Sequence, residues 1–264
     1  MRAINQGLLK SMAFMSINKS NWQTWLICTI SVCAIATIFL FSPIPQDPAY
    51  HQFADRRILL GIPNFWNVMT NILFVFVGVY GIGKSARLRA FSIRGAYLVF
   101  CVGVLFVGFG SAYYHYSPTT QTLVWDRLPM TVAFMALFSI VISDRLSEQF
   151  GNRVIWLLVL AGVASVAFWY WSELEGKGDL RAYALIQFLP MLLMPLMLIL
   201  CPCRGLSTAW LWGTLGIYAL AKVAEHLDSY IYQATGLVSG HSIKHVLGSL
   251  AVLCAVFAML RLRR

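Results

Sequence analysis

Eight long apolar runs divide the chain, and short polar segments separate them. The runs lie near residues 25–41, 65–83, 95–115, 127–143, 154–171, 183–200, 208–224 and 242–260. Each is about 17–21 residues long, which is enough for a helix to cross the roughly 30 Å hydrocarbon layer of a bilayer. Because backbone polar groups in hydrocarbon must bond to one another, we expect each run to be a helix. The pattern predicts an all-α fold, a polytopic transmembrane helix bundle.

The first run differs from the others because it follows a long polar segment. No small-residue cleavage site comes after it, and the chain continues as Ser42-Pro43-Ile44-Pro45. We therefore expect a retained helix and not a cleaved signal peptide. The predicted organisation is a seven-helix core plus one extra N-terminal helix. Residues 1–59 form the N-terminal segment with a polar loop, and 60–264 form the seven-helix domain.

Composition supports a membrane protein and argues against nucleic-acid binding. The chain is 59% hydrophobic and only 11% charged, whereas soluble domains carry about 25% charged residues. The net charge of +10 comes from Lys and Arg residues that lie mostly between apolar runs and at the chain ends. Basic residues in those places face lipid head groups and set orientation. The six cysteines form no pattern of secreted disulfides.

The distribution of basic residues predicts the orientation. Segments on the side of the N-terminus carry 13 Lys and Arg residues, and segments on the other side carry 7. Cytoplasmic loops are enriched in basic residues, so both termini are predicted to be cytoplasmic. An up-and-down bundle then places His115, Asp126 and His241 near the non-cytoplasmic face.

Two histidines, His241 and His245, lie four residues apart where the last apolar run begins. On a helix this spacing places both imidazoles on one face, where they can bind one metal ion. His115, at the end of the third run, is expected at the same membrane depth and supplies a third ligand. Three imidazoles suit zinc, and a catalytic zinc site leaves its fourth position to water.

An acidic residue and a serine accompany the histidines. Asp126 follows His115 after a short segment, and its carboxylate can take and return a proton during hydrolysis. Ser111 lies one helical turn before His115, where its hydroxyl could stabilise an oxyanion formed on a carbonyl substrate. Ser111 could equally be a helix-packing residue, because Gly108 and Gly110 beside it are also small. Both interpretations of Ser111 stay open at this point.

The sequence suggests roles for two further ionisable residues. Glu225 closes the seventh run, where it either pairs with Lys222 or orients one of the ligand histidines. We favour the supporting role for this carboxylate. His51 lies in a polar loop beside acidic and basic residues, and we expect it to be a solvated loop residue.

At these residues the chain resembles the alkaline ceramidase family. That family belongs to a superfamily of seven-helix membrane hydrolases and receptors that includes the adiponectin receptors. The resemblance covers about residues 60–255 and rests on four segments taken together. They are NFWNVMTN at 64–71, GFGSAYYH at 108–115, DRLPM at 126–130 and SGHSIKH at 239–245.

The resemblance implies a site and a reaction. It implies that His115, His241 and His245 bind zinc, and that Asp126 orients and deprotonates the attacking water. It implies Ser111 as a residue that assists the transition state. The expected activity is zinc-dependent hydrolysis of the N-acyl bond of a ceramide-like membrane lipid, which gives a long-chain base and a free fatty acid. The resemblance does not predict an oligomeric state.

Three features depart from the family pattern. An extra helix precedes the seven-helix core. Arg127 follows Asp126, where eukaryotic members tend to carry Glu. Asn64 stands where those members have a calcium-binding Glu, and Asp47 and Asp55 lie in a different setting. The sequence therefore does not favour a calcium site, and ceramide and other N-acyl lipids both stay open as substrates.

Three other functions compete with hydrolysis. A receptor-like or structural membrane protein would keep the zinc site without catalysis, and Asp126 beside an open metal position argues for the enzyme. A transporter or channel would carry ionisable residues along several mid-membrane helices, whereas here they cluster at one boundary. A haem protein with two histidine ligands would show itself in a reduced-minus-oxidised absorbance spectrum.

Overall fold

Helices account for the regular structure of this chain. The computed structural model describes residues 21–88 and 91–261, and in these ranges it contains no β-strand. The helices are α1 (Asn21–Leu40), α2 (Phe65–Met69), α3 (Ile72–Lys84), α4 (Arg94–Tyr116), α5 (Thr120–Arg145), α6 (Glu148–Leu174), α7 (Arg181–Leu200), α8 (Thr208–His226), α9 (Asp228–Thr235) and α10 (Gly240–Leu260). The predicted all-α polytopic bundle is confirmed.

Seven helical segments in the described part of the chain are long and apolar enough to cross a membrane. They are Trp22–Leu40, Phe65–Arg87, Arg94–Tyr116, Thr120–Arg145, Glu148–Leu174, Arg181–Leu200 and Gly240–Leu260. The protein is therefore a multi-pass membrane protein. α8 has a similar length of 19 residues, but Lys222, Glu225 and His226 occupy its last two turns and make it less apolar.

Some predictions concern residues outside this description. Residues 1–20 and 262–264, which carry part of the basic charge used to predict orientation, lie outside the described residues. The division into an N-terminal segment, 1–59, and a seven-helix domain, 60–264, stays a prediction.

α5 begins seven residues earlier than the apolar pattern predicts. Thr119 is its N-cap, and a capping box links the side chains of Thr119 and Thr122 to each other's backbone N–H groups. Such a box satisfies N–H groups that the first turn leaves without partners, so the helix starts within polar sequence. Asp126 consequently lies two turns inside the helix and not at its beginning.

Two other elements differ from the predicted pattern. The second span is interrupted between α2 and α3, where Thr70 and Asn71 lie between the two helical segments. The polar segment before α10 contains the short helix α9, which ends at Gly236 in a left-handed conformation with φ of +63°. Short amphipathic segments of this kind carry no long apolar run, so the pattern alone did not indicate them.

The helices pack so that one end of the bundle gathers three helix termini. α5 is the most buried of the long helices and packs against α4, α6 and α7, while α10 packs against α8 and α3. α4 ends where α5 and α10 begin. The segment 41–64 crosses this same end, where Leu180 N–H donates to the Ile44 carbonyl at 2.8 Å. We refer to the segment 41–64 as the roof.

Candidate active site

Three histidines from two helices meet beneath the roof. His115 comes from the last turn of α4, and His241 and His245 come from the first two turns of α10. Their ring nitrogens lie within 4.8 Å of one another, and the residues are only 1%, 5% and 2% exposed. The structure thus brings the predicted ligand residues together across 126 positions of sequence.

The donor set fits a metal ion. The Nε2 atoms of His115 and His241 are 3.3 Å apart, and tetrahedral zinc with bonds of about 2.0–2.1 Å separates its ligand nitrogens by roughly 3.3–3.4 Å. His115 Nδ1 and His245 Nε2 are buried and have no hydrogen-bond partner in the protein. Buried ring nitrogens without partners are costly. A metal bound to the Nε2 atoms would satisfy His245 Nε2, whereas His115 Nδ1 would gain no partner from it.

A lysine contacts the same cluster. Lys244 Nζ lies 3.3 Å from His241 Nε2 and donates to Glu225 Oε1 at 2.7 Å. Glu225 also forms an ion pair with Lys222, which confirms that predicted pairing. Its interaction with His241 is indirect and passes through Lys244. A metal ion on His241 Nε2 requires Lys244 to give up its contact with that nitrogen.

The first turn of α10 is fixed by capping contacts. Ser239 is the N-cap, and its hydroxyl accepts from Ser242 N–H at 3.1 Å. Asp228 Oδ1 accepts from His241 N–H at 2.7 Å. A Cβ at Gly240 would overlap the Ala224 carbonyl and the backbone of Asp228, so only glycine permits α10 to start this close to α8.

Polar residues in and on either side of α2 support the histidines, and the sequence did not predict these contacts. Asn64 Nδ2 donates to the His115 carbonyl at 2.8 Å, and Thr70 Oγ1 lies 2.9 Å from His245 Nδ1. Ser242 Oγ donates to Asn67 Oδ1 at 2.7 Å. Three polar residues close together in an apolar run were the available signal, because such residues in membrane spans usually have partners.

The roof places an aromatic ring over the site. The Phe53 ring centroid lies 4.6 Å from that of His115 and 4.7 Å from that of His241, and Phe53 is buried. Next to it, Ala54 N–H donates to Asp228 Oδ2 at 2.9 Å. Since Asp228 also holds the first turn of α10, one carboxylate ties the roof to the helix that carries two histidines.

The expectation that His51 is a solvated loop residue was wrong. Its Nδ1 lies 2.9 Å from the Tyr114 hydroxyl, and its Nε2 lies 3.2 Å from Thr120 Oγ1. Partial burial and the nearby Arg127 guanidinium lower the pKa of His51, so the ring is neutral at pH 7. A neutral ring can donate with one nitrogen and accept with the other, and His51 thereby links the roof to α4 and α5.

Ser111 and Asp126 face each other across α4 and α5. Both are buried, and both line the same cavity. Gly110 makes this approach possible, because a Cβ there would overlap the Trp125 carbonyl oxygen. The small residues of α4 therefore serve packing, as one interpretation of Ser111 held, while the Ser111 hydroxyl itself faces a carboxylate.

A cavity of about 330 Å³ extends from this polar end into the bundle. Ser111, Asp126 and His245 lie at its polar end. Apolar side chains of α4, α5, α7, α8 and α10 form most of the remaining wall, among them Phe100, Val104, Phe134, Met194, Leu215 and Val252. A narrow apolar cavity with a few convergent polar groups suits a lipid whose reactive bond lies at the polar end.

The family model for ceramidases, described as "Ceramidase", matches residues 57–264. This chain belongs to the ceramidase family. No curated protein matches it. Membership agrees with the helical membrane bundle, and it makes the chain a ceramidase-type membrane hydrolase with a lipid substrate.

The acidic residues considered for calcium have other partners in this ceramidase-family chain. Asp47 accepts from Ala49 N–H at 2.8 Å and caps a short 3-10 helix. Asp55 pairs with Arg57 at 2.7 Å; burial would raise the pKa of Asp55, but the hydrogen bonds from Arg57 lower it. Asn64 adopts a left-handed conformation with φ of 48° and uses its amide to bond the end of α4. All three side chains therefore have structural roles.

Proposed function

We propose that the chain is an integral-membrane, zinc-dependent amidohydrolase that cleaves the N-acyl bond of ceramide-like lipids. The products are a long-chain base and a free fatty acid. The observation that supports the proposal is a cluster of three buried imidazoles, one of which, His245, lines an apolar cavity together with Ser111 and Asp126. His115, His241 and His245 are the proposed ligands.

The division of roles follows from chemistry and position. The three imidazoles would hold a zinc ion, which would supply Lewis-acid activation of a water molecule for attack on an amide carbonyl. The cavity holds the acyl chain along its apolar wall, which brings the amide to the polar end. Asp126 accepts a proton from the attacking water at a carboxylate oxygen and then returns it to the leaving amine nitrogen.

Ser111 responds to the state of Asp126. While Asp126 is a carboxylate, it is the strongest acceptor close to the Ser111 hydroxyl. When Asp126 takes up a proton, it becomes a weaker acceptor, and the hydroxyl is free to donate to the carbonyl oxygen as negative charge develops there. The Ser111 hydroxyl therefore donates to the carbonyl oxygen at the step in which negative charge develops on that oxygen.

The test compares variants of the proposed ligands with variants of the proposed proton acceptor. Asp126→Asn should retain zinc and lose about 10²–10⁴ in rate, and Ser111→Ala should retain zinc and lose about 10²–10³ in kcat. His241→Ala should lose both zinc and activity, since two imidazoles hold zinc poorly. Zinc content, melting temperature and N-acyl-lipid hydrolysis are measured on each purified protein.

His226→Ala is the matched control, because His226 is exposed at the end of α8 and no hydrogen bond of its side chain occurs among the described contacts. It should keep both zinc and activity. Wild-type turnover in Asp126→Asn would contradict the enzyme and leave a structural metal site. Loss of zinc in Asp126→Asn as complete as in His241→Ala would contradict the assignment of roles.

A further inference from the structure

Arg127 is a buried cation in the wall of the cavity. It follows Asp126 on α5, lines the cavity and is only 4% exposed. Its guanidinium carbon lies 4.1 Å from the ring centroid of Trp169 and 4.5 Å from that of Tyr183. The two rings stabilise the charge and fix the plane of the guanidinium group.

The polar contacts of Arg127 leave one donor group unused. Its Nη2 donates to Gln46 Oε1 at 2.7 Å, whereas its Nη1 is buried without a partner. The carboxylate nearest along this network belongs to Glu173, which accepts from Gln46 N–H and Trp169 Nε1–H. A buried N–H donor without an acceptor costs about 1–3 kcal/mol, more when the group is charged. The site thus retains a costly donor.

The other charged groups of the cavity do not compensate Arg127 directly. Lys222 and Lys244 both pair with Glu225. Asp126 faces Ser111. Among the residues that the structure describes, Arg127 forms no ion pair with any carboxylate. Three cations, Arg127, Lys222 and Lys244, line the cavity. Of the described carboxylates, only two, Asp126 and Glu225, do so, and the cavity wall therefore carries one cation in excess.

We infer that Arg127 is a specificity-determining residue that binds an anionic oxygen group, a carboxylate or a phosphate, on the head-group side of the N-acyl lipid. The inference rests on the proposed function. A planar guanidinium group whose Nη1 has no partner suits such oxyanions better than it suits a hydroxyl. Its place next to Asp126 puts the anion within a few atoms of the scissile amide, while the acyl chain lies along the apolar wall.

The experiment measures the ratio of kcat/KM for anionic and neutral substrates. A loss of folded protein lowers both values equally and leaves this ratio unchanged. Ceramide 1-phosphate and N-palmitoylglycine are the anionic substrates, and ceramide with the same acyl chain is the neutral one. The wild type should prefer the anionic substrates in kcat/KM. Arg127→Gln should reduce the ratio of anionic to neutral kcat/KM by about 10²-fold, a typical cost of removing one partner of a buried charge pair. Arg127→Lys should retain part of the ratio.

Arg153→Gln is the charge-matched control, because Arg153 is exposed near the start of α6. It should leave the ratio unchanged. If Arg127 only braces the roof against α6 and α7, then Arg127→Gln lowers turnover of every substrate equally, and the inference is overturned. A changed inhibition by free palmitate with an unchanged substrate ratio also overturns it, because Arg127 would then bind the product.

A binding measurement separates this inference from the proposed function. Dodecyl phosphate and dodecanol are compared by the rise that each produces in melting temperature. Dodecyl phosphate should stabilise the wild type more than dodecanol does, and Arg127→Gln should lose the difference. This readout does not depend on turnover, so it holds even if no N-acyl lipid is hydrolysed. An equal effect of the two ligands on the wild type would reject the anion site.

Discussion

Charged residues are buried at both ends of α5, but the partners of these residues differ between the two ends. At the end of α5 far from the histidines, Asp144 Oδ1 accepts from the Gly205 and Leu206 N–H groups at 2.8 and 2.9 Å. Arg145 Nε lies 2.8 Å from Asp144 Oδ2, and Arg145 Nη2 donates to Thr208 Oγ1 at 2.6 Å. These charges hold the connection between α7 and α8 against the end of α5.

At the far end, Asp144 Oδ2 and Arg145 Nε form no hydrogen bond of good geometry, but they lie against each other as an ion pair. At the histidine end, several buried polar atoms have neither a hydrogen-bond partner nor an ion pair in the described part of the protein. They include His115 Nδ1, His245 Nε2 and Arg127 Nη1. Leaving such groups unsatisfied destabilises a fold, and proteins tolerate the cost chiefly where function requires it. The two clusters of buried polar residues therefore differ: one joins elements of its own chain, and the other has donors and acceptors left over for a ligand.

The largest effect should come from moving the two halves of the histidine end apart. Gly110→Ala places a methyl group against the Trp125 carbonyl, so α5 must shift away from α4 and carry Asp126 away from Ser111. A displacement near 1 Å typically costs about 10²-fold in rate. Hydrolysis by purified protein is the measurement.

Gly83→Ala is the matched control for that variant. A Cβ at Gly83, near the end of α3, meets nothing within 4 Å. Its activity should stay within about twofold of the wild type, since Ala fits a helix better than Gly does. Equal losses in Gly110→Ala and Gly83→Ala would mean that the close contact of α4 with α5 does not position the site.

A smaller effect, on stability alone, is expected at the opposite end. Asp144→Asn leaves the Arg145 guanidinium buried without its anionic partner, which typically costs about 3–5 kcal/mol. The melting temperature in detergent should fall, while kcat of the folded fraction should stay within about twofold. Asp126→Asn should show the reverse. A drop in kcat at constant melting temperature for Asp144→Asn would contradict the view that this end of α5 contributes to stability alone.

The last prediction assigns the two ends to the two sides of the membrane and changes neither activity nor stability. The Lys and Arg bias predicts that the histidine end lies outside the cytoplasm. Gln121→Cys reports on that end, and the native, exposed Cys203 reports on the other. The background replaces the exposed Cys28 and Cys33 of α1 by Ala.

An impermeant maleimide should label Gln121→Cys in intact cells and label Cys203 only after permeabilisation. Each reporter serves as the control for the other, because permeabilisation must expose both. The opposite labelling pattern would reverse the orientation, and the proposed active site would then face the cytoplasm.

Periodic and local features of the sequence predicted much of this molecule. Apolar runs indicated the long helices because hydrocarbon admits few other structures. The spacing of His241 and His245 placed both rings on one face, because four residues make about one helical turn. Counting the helices predicted that His115 lies at the same membrane depth as His241 and His245. The structure brings its ring into their cluster.

Contacts made by irregular segments could not be predicted in this way. The roof has no repeating pattern, so nothing in the sequence placed Phe53 over the histidines or linked His51 to Tyr114. Lys244 was expected near a membrane boundary, whereas its contact with His241 depends on where α8 ends. The side chains that surround Arg127 come from α6, α7 and the roof, and such packing appears only when the helices are assembled.

The position of Phe53 has a consequence for how a metal enters and leaves. Its ring covers two of the three histidines, and contacts to Tyr114, Asp228 and the Leu237 carbonyl hold the segment around it in place. A metal ion held by these histidines could pass through the roof only while those contacts are open. Exchange by that path would be limited by the rate at which the segment around Phe53 opens, whereas exchange through the cavity that His245 lines would not.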